Sequence, residues 1–131
     1  MCVDCLTAIL ARLACRQFPP SHRYDGESLR VITMAPTFDG LLAEAFDQIR
    51  CGAEGNAAIM ARMLGAIDTI ASLTVSQPHR RALDEQVQWI AELADRTIES
   101  THDRARMETR LKHVCDVPEA ERALCSGQEQ A

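Results

Sequence analysis

The chain is poor in aromatic residues and has no excess of positive charge. Phe, Trp and Tyr together make up 4% of its 131 residues, so its core has to be built from aliphatic side chains. The formal net charge of -5 argues against a general nucleic-acid binder or a polybasic membrane-surface module, because both need an excess of Lys and Arg to meet phosphate groups. We therefore predict no nucleic-acid partner, although local basic patches are compatible with this composition.

Long apolar runs and an export signal are also lacking. No stretch approaches the roughly 18 consecutive apolar residues expected of a membrane span, and the first residues, Met1 to Cys5, lack the basic start of a signal peptide. We expect a chain that does not itself insert into a bilayer and that lies in the cytoplasm. Its six cysteines would be reduced there, and we interpret them as small buried hydrophobic residues.

The sequence does contain clear helical periodicity. Apolar residues at helical spacing predict a first helix over residues 2–17, which the Pro19-Pro20 pair ends. Thr37 can cap a second helix, in which apolar residues recur every three or four positions from Phe38 to Ile49. Each of these helices has one apolar face that needs a packing partner.

Three further helices are predicted downstream. Asn56 can cap a third helix that runs to about Val75, and Pro78 suits the first turn of a fourth that runs to about Ile98. Residues 100–103, Ser-Thr-His-Asp, have capping-box spacing, and the apolar residues beyond them are out of phase with the preceding stripe. A separate or kinked fifth helix is therefore expected to begin here.

One segment near the N-terminus has strand character instead. His22 to Tyr24 and Leu29 to Thr33 flank Asp25-Gly26, a dipeptide that readily takes the positive φ angles of a tight hairpin turn. Because an isolated two-stranded ribbon is marginally stable, we expect this hairpin to pack on the helices.

Together these patterns predict a mainly α fold: a helical bundle of about five helices with one small β-hairpin near the N-terminus. A chain of 131 residues suggests one domain and can bury roughly two-thirds of its unfolded surface. We predict a single helical domain over residues 1–125, with the hairpin at about 22–34 and a frayed tail at 126–131.

Cys2 and Cys5 form the one pattern that suggests metal or redox chemistry. Two thiolates three residues apart on a helix can share a zinc ion or form a reactive dithiol. The other four cysteines supply no second close pair, whereas a zinc site needs four ligands. The alternative is that both side chains serve helix packing, and we predict no cofactor.

A second candidate site lies on the second predicted helix. Asp47 and Arg50, three residues apart beside the apolar stripe, can form a structural ion pair or a polar pair that binds a ligand. In the ligand-binding alternative, Asp4 and Gln48 join them as polar anchors of a small-molecule-binding bundle, beside an apolar cavity that contains Met side chains.

We predict that the histidines and the basic residues near the C-terminus lie on the surface. His22, His79, His102 and His113 are scattered and show no metal-binding pattern, so we expect surface histidines. The basic residues Arg104, Arg106, Arg110 and Lys112 are interleaved with acidic ones and lack aromatic neighbours, which favours a solvated helix face over a nucleic-acid site. No Gly-rich phosphate loop or Gly-x-Ser-x-Gly elbow is present, so no reaction is indicated.

The N-terminal half resembles a known bacterial family. Cys2-Val3-Asp4-Cys5-Leu6, Leu29-Arg30-Val31, and above all Pro36-Thr37-Phe38 leading into Ala45-Phe46-Asp47-Gln48-Ile49-Arg50 are similar to the C-terminal soluble region of the predicted membrane proteins called domain of unknown function family 2254. The resemblance extends to about residue 75. Family members typically carry several transmembrane helices before this region, and the family has no assigned activity.

The resemblance implies a setting for the domain rather than a mechanism. We expect a noncatalytic helical domain that serves assembly or regulation of a bacterial inner-membrane protein, with a second copy and the missing upstream membrane segment as partners. It would lie on the cytoplasmic face of the inner membrane if transmembrane helices precede it in the natural protein. The alternatives are a small-molecule-binding bundle and a thiol or zinc site at Cys2 and Cys5.

Overall fold

The computed structural model describes residues 2–16, 18, 22–32 and 34–116. As predicted, the fold is mainly α, with five helices and one small hairpin. The helices are α1 (Cys2–Ala14), α2 (Phe38–Gly52), α3 (Ala57–Leu73), α4 (Gln77–Thr97) and α5 (Thr101–Cys115); the strands are β1 (His22–Asp25) and β2 (Ser28–Ile32). Within these ranges, none of the helices combines the length and the apolar character that crossing a membrane requires. The predicted tail and the predicted end of the domain at residue 125 lie outside the described residues.

Helix α3 lies at the centre of the bundle. It packs against α1, α4 and α5, whereas α2 reaches the core mainly through α4 and touches α1. Its buried side chains recur at three- and four-residue spacing and occupy one side of the helix, an arc of roughly 160°: Met60, Met63, Leu64, Ala66, Ile67 and Ile70. The core is mainly aliphatic and Met-containing, as predicted, but Phe38 and Phe46 are also buried in it.

Side-chain caps begin three of the helices at the predicted residues. Thr37 Oγ1, Asn56 Oδ1 and Ser100 Oγ accept hydrogen bonds from the backbone N–H three residues further on, at 3.3, 3.2 and 3.4 Å. Each satisfies one of the N–H groups that a helix start leaves without an internal partner. Helix α4 has no such bond from Ser76 and relies on Pro78 in its first turn, where a missing N–H has no consequence.

Two contacts fix the chain at the end of α4. Arg104 donates from Nε to the carbonyl oxygen of Ile98 at 2.8 Å and from Nη2 to that of Asp95 at 3.3 Å, so a cation covers the negative end of α4. Gly55, with φ of +68°, donates its N–H to Thr97 Oγ1 at 3.0 Å and so ties the α2–α3 loop to the same place. The prediction of a separate fifth helix after residue 100 is confirmed by α5.

The hairpin turn is displaced by one residue from the predicted dipeptide. Asp25 is the last residue of β1, and Gly26-Glu27 forms the turn. Gly26 has φ of +62°, and Glu27 is not among the described residues with positive φ. Glycine at the first central position is typical of a type II′ turn, whereas centring the turn on Asp25-Gly26 in type I′ form would require positive φ at both residues.

The expectation that the hairpin packs on the helices is wrong. All nine residues of β1 and β2 are exposed, and Ile32 is 68% exposed. The physical reason is that the apolar stripes of the five helices already satisfy one another, which leaves no core surface for the strands to cover. The hairpin therefore presents both of its faces away from the core.

Burial predicts different responses to the same substitution at two isoleucines. Ile67 of α3 is 1% exposed and Ile9 of α1 is 56% exposed. Ile67→Ala should lower the free energy of unfolding by roughly 3 kcal/mol, because it removes buried methyl groups and leaves a cavity. Ile9→Ala, the matched control, should change it by less than about 0.5 kcal/mol.

Urea unfolding at equilibrium measures both values. Similar losses in the two variants would contradict the central position of α3.

Candidate functional site

The hairpin has one apolar face. Tyr24 pairs with Leu29 across the two strands and His22 pairs with Ile32, and alternation along β1 places His22 and Tyr24 on the same side. Tyr24, Leu29 and Ile32 are 63%, 44% and 68% exposed. These three residues are an apolar surface on an element with no core to bury it, and we call it the hairpin face.

The opposite face of the hairpin is mixed, because it carries Arg23 and Asp25 but also Val31, which is 45% exposed. A register shift between Arg23 and Tyr24 leaves Arg30 as an extra residue in β2, which is a β-bulge. The Arg30 guanidinium lies 3.5 Å from an Asp25 carboxylate oxygen, and both side chains are largely exposed. Arg23 shares this side with Asp25, so this face carries charges of both signs.

His79 of α4 lies between two aromatic residues. Its ring stacks on Phe38 with centroids 4.3 Å apart, and Phe18 meets it edge-on at 6.0 Å. Phe18 precedes the hairpin in sequence and Phe38 follows it, so residues from both sides of the hairpin meet at one ring; we call the three residues (Phe18, Phe38, His79) the aromatic clamp. Depressions of about 580 and 670 Å³ flank the clamp.

The prediction of four surface histidines is therefore wrong for His79. Its ring is partly buried between two aromatic residues, and Nδ1 is buried without a hydrogen-bond partner in the part of the chain that the structure describes. His22, His102 and His113 are exposed, as predicted. The sequence signal that was missed is the position of His79 in the first turn of α4, close to the N-terminus of α2 in space.

Arg50 connects α2 to α4. It lies 3.0 Å from Asp47 Oδ1, donates to Gln86 Oε1 at 3.5 Å, and places its guanidinium 4.7 Å from the centroid of Trp89. Gln86 is 2% exposed, so Arg50 supplies a partner to a buried amide. Gln48 is exposed. The structural ion pair thus forms, and it is part of an interhelical contact whose α4 residues sequence reasoning missed.

Asp4 belongs to a different contact. Arg62 of α3 approaches it with Nη2 2.6 Å from Oδ2 and Nε 3.4 Å from Oδ1. The four residues predicted to bind a ligand are thus divided between two ion pairs, with Gln48 in neither. Arg50 lines a depression of about 270 Å³ between α2 and α4. A ligand at these residues stays a prediction.

Cys2 and Cys5 lie on the outer side of α1. The buried residues of this helix, Leu10 and Ala14, lie on its inner side. Ile9 is exposed, as are the two cysteines. We predicted that the cysteines are buried. This is wrong for every cysteine that the structure describes, because all of them are exposed: Cys2, Cys5, Cys15, Cys51 and Cys115. No group of three potential metal ligands occurs within residues 2–16, 18, 22–32 and 34–116, and the zinc or thiol role stays a prediction.

The Asp4–Arg62 pair predicts a measurable pKa. Hydrogen bonding from Arg62 is the largest effect and lowers the pKa of Asp4 below the ordinary value of 3.8; desolvation acts in the opposite direction, and the charge of Arg62 lowers the pKa further. The ionised form therefore stabilises the fold above the ordinary pKa, and this contribution is lost as the pH falls through the lowered pKa. Arg62→Gln should raise the pKa of Asp4 towards the ordinary value, as measured by the carboxyl ¹³C chemical shift.

Arg12→Gln on α1 removes the same charge without touching the pair and should leave the pKa of Asp4 unchanged. An Asp4 pKa that does not respond to Arg62→Gln would disprove the contact.

Comparison with known proteins gives one match. The family model described as "Predicted membrane protein (DUF2254)" matches residues 1–69, which is more than half of the chain. The match covers α1, the hairpin, α2 and most of α3, including the Ala-Phe-Asp-Gln-Ile-Arg segment of α2 that carries the resemblance. No curated protein and no solved structure matches the chain. The chain belongs to the DUF2254 family of predicted membrane proteins.

Proposed function

We propose that this chain is a noncatalytic assembly domain of a bacterial inner-membrane protein and that two copies associate through the hairpin. The observation that carries the proposal is the exposure of all nine strand residues, among them the apolar hairpin face. Contact between the Tyr24 rings of two paired hairpins would remove apolar area from water, which is the main driving force of protein association.

The strand edges support the same function. A two-stranded ribbon leaves a row of unpaired N–H and C=O groups on each outer edge, and such an edge is a template for pairing with another strand. Pairing of two hairpins would give a four-stranded sheet, which is more stable than an isolated ribbon.

Charge complementarity favours β1 as the shared edge. If two β1 strands pair antiparallel about a two-fold axis at Tyr24, Arg23 of each copy lies opposite Asp25 of the other, and the ion pair occurs twice. Pairing of two β2 strands about their central residue would place Arg30 against Arg30. The proposed dimer therefore uses β1 and joins the two tyrosines side by side.

Reversal of one charge tests this register. Arg23→Asp places carboxylates opposite each other at two symmetric positions and should weaken the dimer roughly tenfold, since cross-strand charge pairs contribute up to about 1 kcal/mol each. The double variant Arg23→Asp/Asp25→Arg restores opposite charges between the copies and should recover part of the association, since it also removes the Arg30–Asp25 pair within each hairpin. Sedimentation equilibrium from micromolar to millimolar concentration measures the dissociation constants.

Arg96→Asp is the matched control, because it makes the same charge change at an exposed residue of α4. It should leave the dissociation constant within about twofold. A wild-type chain that is monomeric throughout, or equal losses in Arg23→Asp and Arg96→Asp, would refute hairpin-mediated assembly.

The exposed thiols support a cytoplasmic position. Five exposed free cysteines suit a reducing compartment, because thiols in oxidising compartments are driven towards disulfides. In spheroplasts of a bacterium that carries the natural protein, a membrane-impermeant maleimide should label this region only after lysis, whereas a permeant maleimide should label it in both states. Labelling by the impermeant reagent in intact spheroplasts would place the domain on the other side.

A further inference from the structure

The basic residues of α5 do not all lie on one side of the helix. Arg104 covers the end of α4, as described above, and Met107 turns into the core. His102, Arg106 and Arg110 follow one another at four-residue spacing, and His113 comes three residues later. This spacing places four basic side chains on one face of the helix.

That face closes a groove against α3. The α3–α5 groove has a volume of about 800 Å³, and its basic lining residues are Arg62, His102, Arg106, Arg110 and His113. The other lining residues are two alanines and Thr109, and none of the residues that line it is acidic. In a chain with a net charge of -5, this concentration of positive charge is a local exception.

The absence of a side chain at Gly65 leaves space for one of these arginines. A Cβ atom at this position would lie 3.0 Å from Nη2 of Arg110, so the Arg110 guanidinium rests where α3 has no side chain. Arg62 is three residues earlier on α3, which is one helical turn away. Arg62 and Arg110 thus both line the groove near Gly65.

The cluster lacks a structural explanation within the fold. Neither Arg106 nor Arg110 forms an ion pair or hydrogen bond with residues 2–16, 18, 22–32 or 34–116, and like charges four residues apart destabilise a helix. Asp4 neutralises Arg62 from outside the groove, but that pair is more than half exposed and competes with solvent. An anion in the groove would relieve the repulsion.

We propose that the α3–α5 groove binds a phosphate group, carried either by the headgroup of an anionic phospholipid or by a soluble phosphate ester. Guanidinium groups bind phosphate oxygens through two parallel N–H···O bonds, and the small side chains beside them leave room for the group. This site is independent of the hairpin, so it stands or fails separately from the proposed assembly.

Two variants test the groove in different ways. Arg106→Gln/Arg110→Gln removes two charges and should weaken binding at least tenfold. Gly65→Ala keeps every charge but displaces the Arg110 guanidinium, and it should weaken binding about threefold. The displaced atom is the end of a flexible side chain and alanine is the better helix former, so this variant should melt no earlier than the wild type.

Arg81→Gln/Arg96→Gln is the control for net charge, because it removes two exposed arginines of α4. Its binding should stay within twofold of wild type. Asp4→Asn frees Arg62 and should strengthen binding. Binding of a soluble phosphate is measured by titration with inorganic phosphate while the backbone amide shifts are followed by NMR. Binding of a lipid headgroup is measured by flotation with phosphatidylglycerol vesicles, compared with phosphatidylcholine vesicles.

If phosphate changes the amide shifts of α5 and the protein also floats with phosphatidylglycerol vesicles, the ligand is a lipid headgroup. If the amide shifts change but the protein does not float, the ligand is a soluble ester. Either result supports the site. Absence of both overturns it. Equal losses in Arg106→Gln/Arg110→Gln and Arg81→Gln/Arg96→Gln, or wild-type binding by Gly65→Ala, would show a diffuse charge effect and would also overturn it.

Discussion

The burial of α3 is the constraint on which the rest of the fold depends. Because α1, α4 and α5 all pack against it, each of them must turn an apolar stripe inward, and the phase of each helix is fixed as a result. The side of α3 that carries Ala61, Arg62 and Gly65 is the part that remains open. The α3–α5 groove exists because a small residue and an arginine occupy that side.

The position of the hairpin follows from the same packing. The helices satisfy one another's apolar faces, so the strands between α1 and α2 have no core to join and are all exposed. Phe18 before the hairpin and Phe38 after it contact the same His79 ring. An uncovered ribbon has free edges and an apolar face, and these are the features that intermolecular strand pairing uses.

Helix phase also separates charges that are adjacent in sequence. Arg104 and Arg106 are two residues apart, which places them roughly 200° apart around α5. Arg104 covers the carbonyl groups at the end of α4, whereas Arg106 lines the groove. The four basic residues of this run are exposed, as predicted, but they do not share one face, so the chemistry of each depends on which helix it meets.

The sequence by itself determined the five helices, three of their caps, the hairpin, the Asp47–Arg50 pair and the family, because these depend on patterns within a few residues or on direct resemblance. The tertiary structure alone decided the exposure of the cysteines, the partner of Asp4, the contact of Arg50 with Gln86 and Trp89, and the seat of Arg110 at Gly65. Periodicity shows that a helix has an apolar face but not which helix covers it. Contacts between residues such as Asp4 and Arg62, 58 positions apart, arise only when helix packing fixes the relative rotation of the elements.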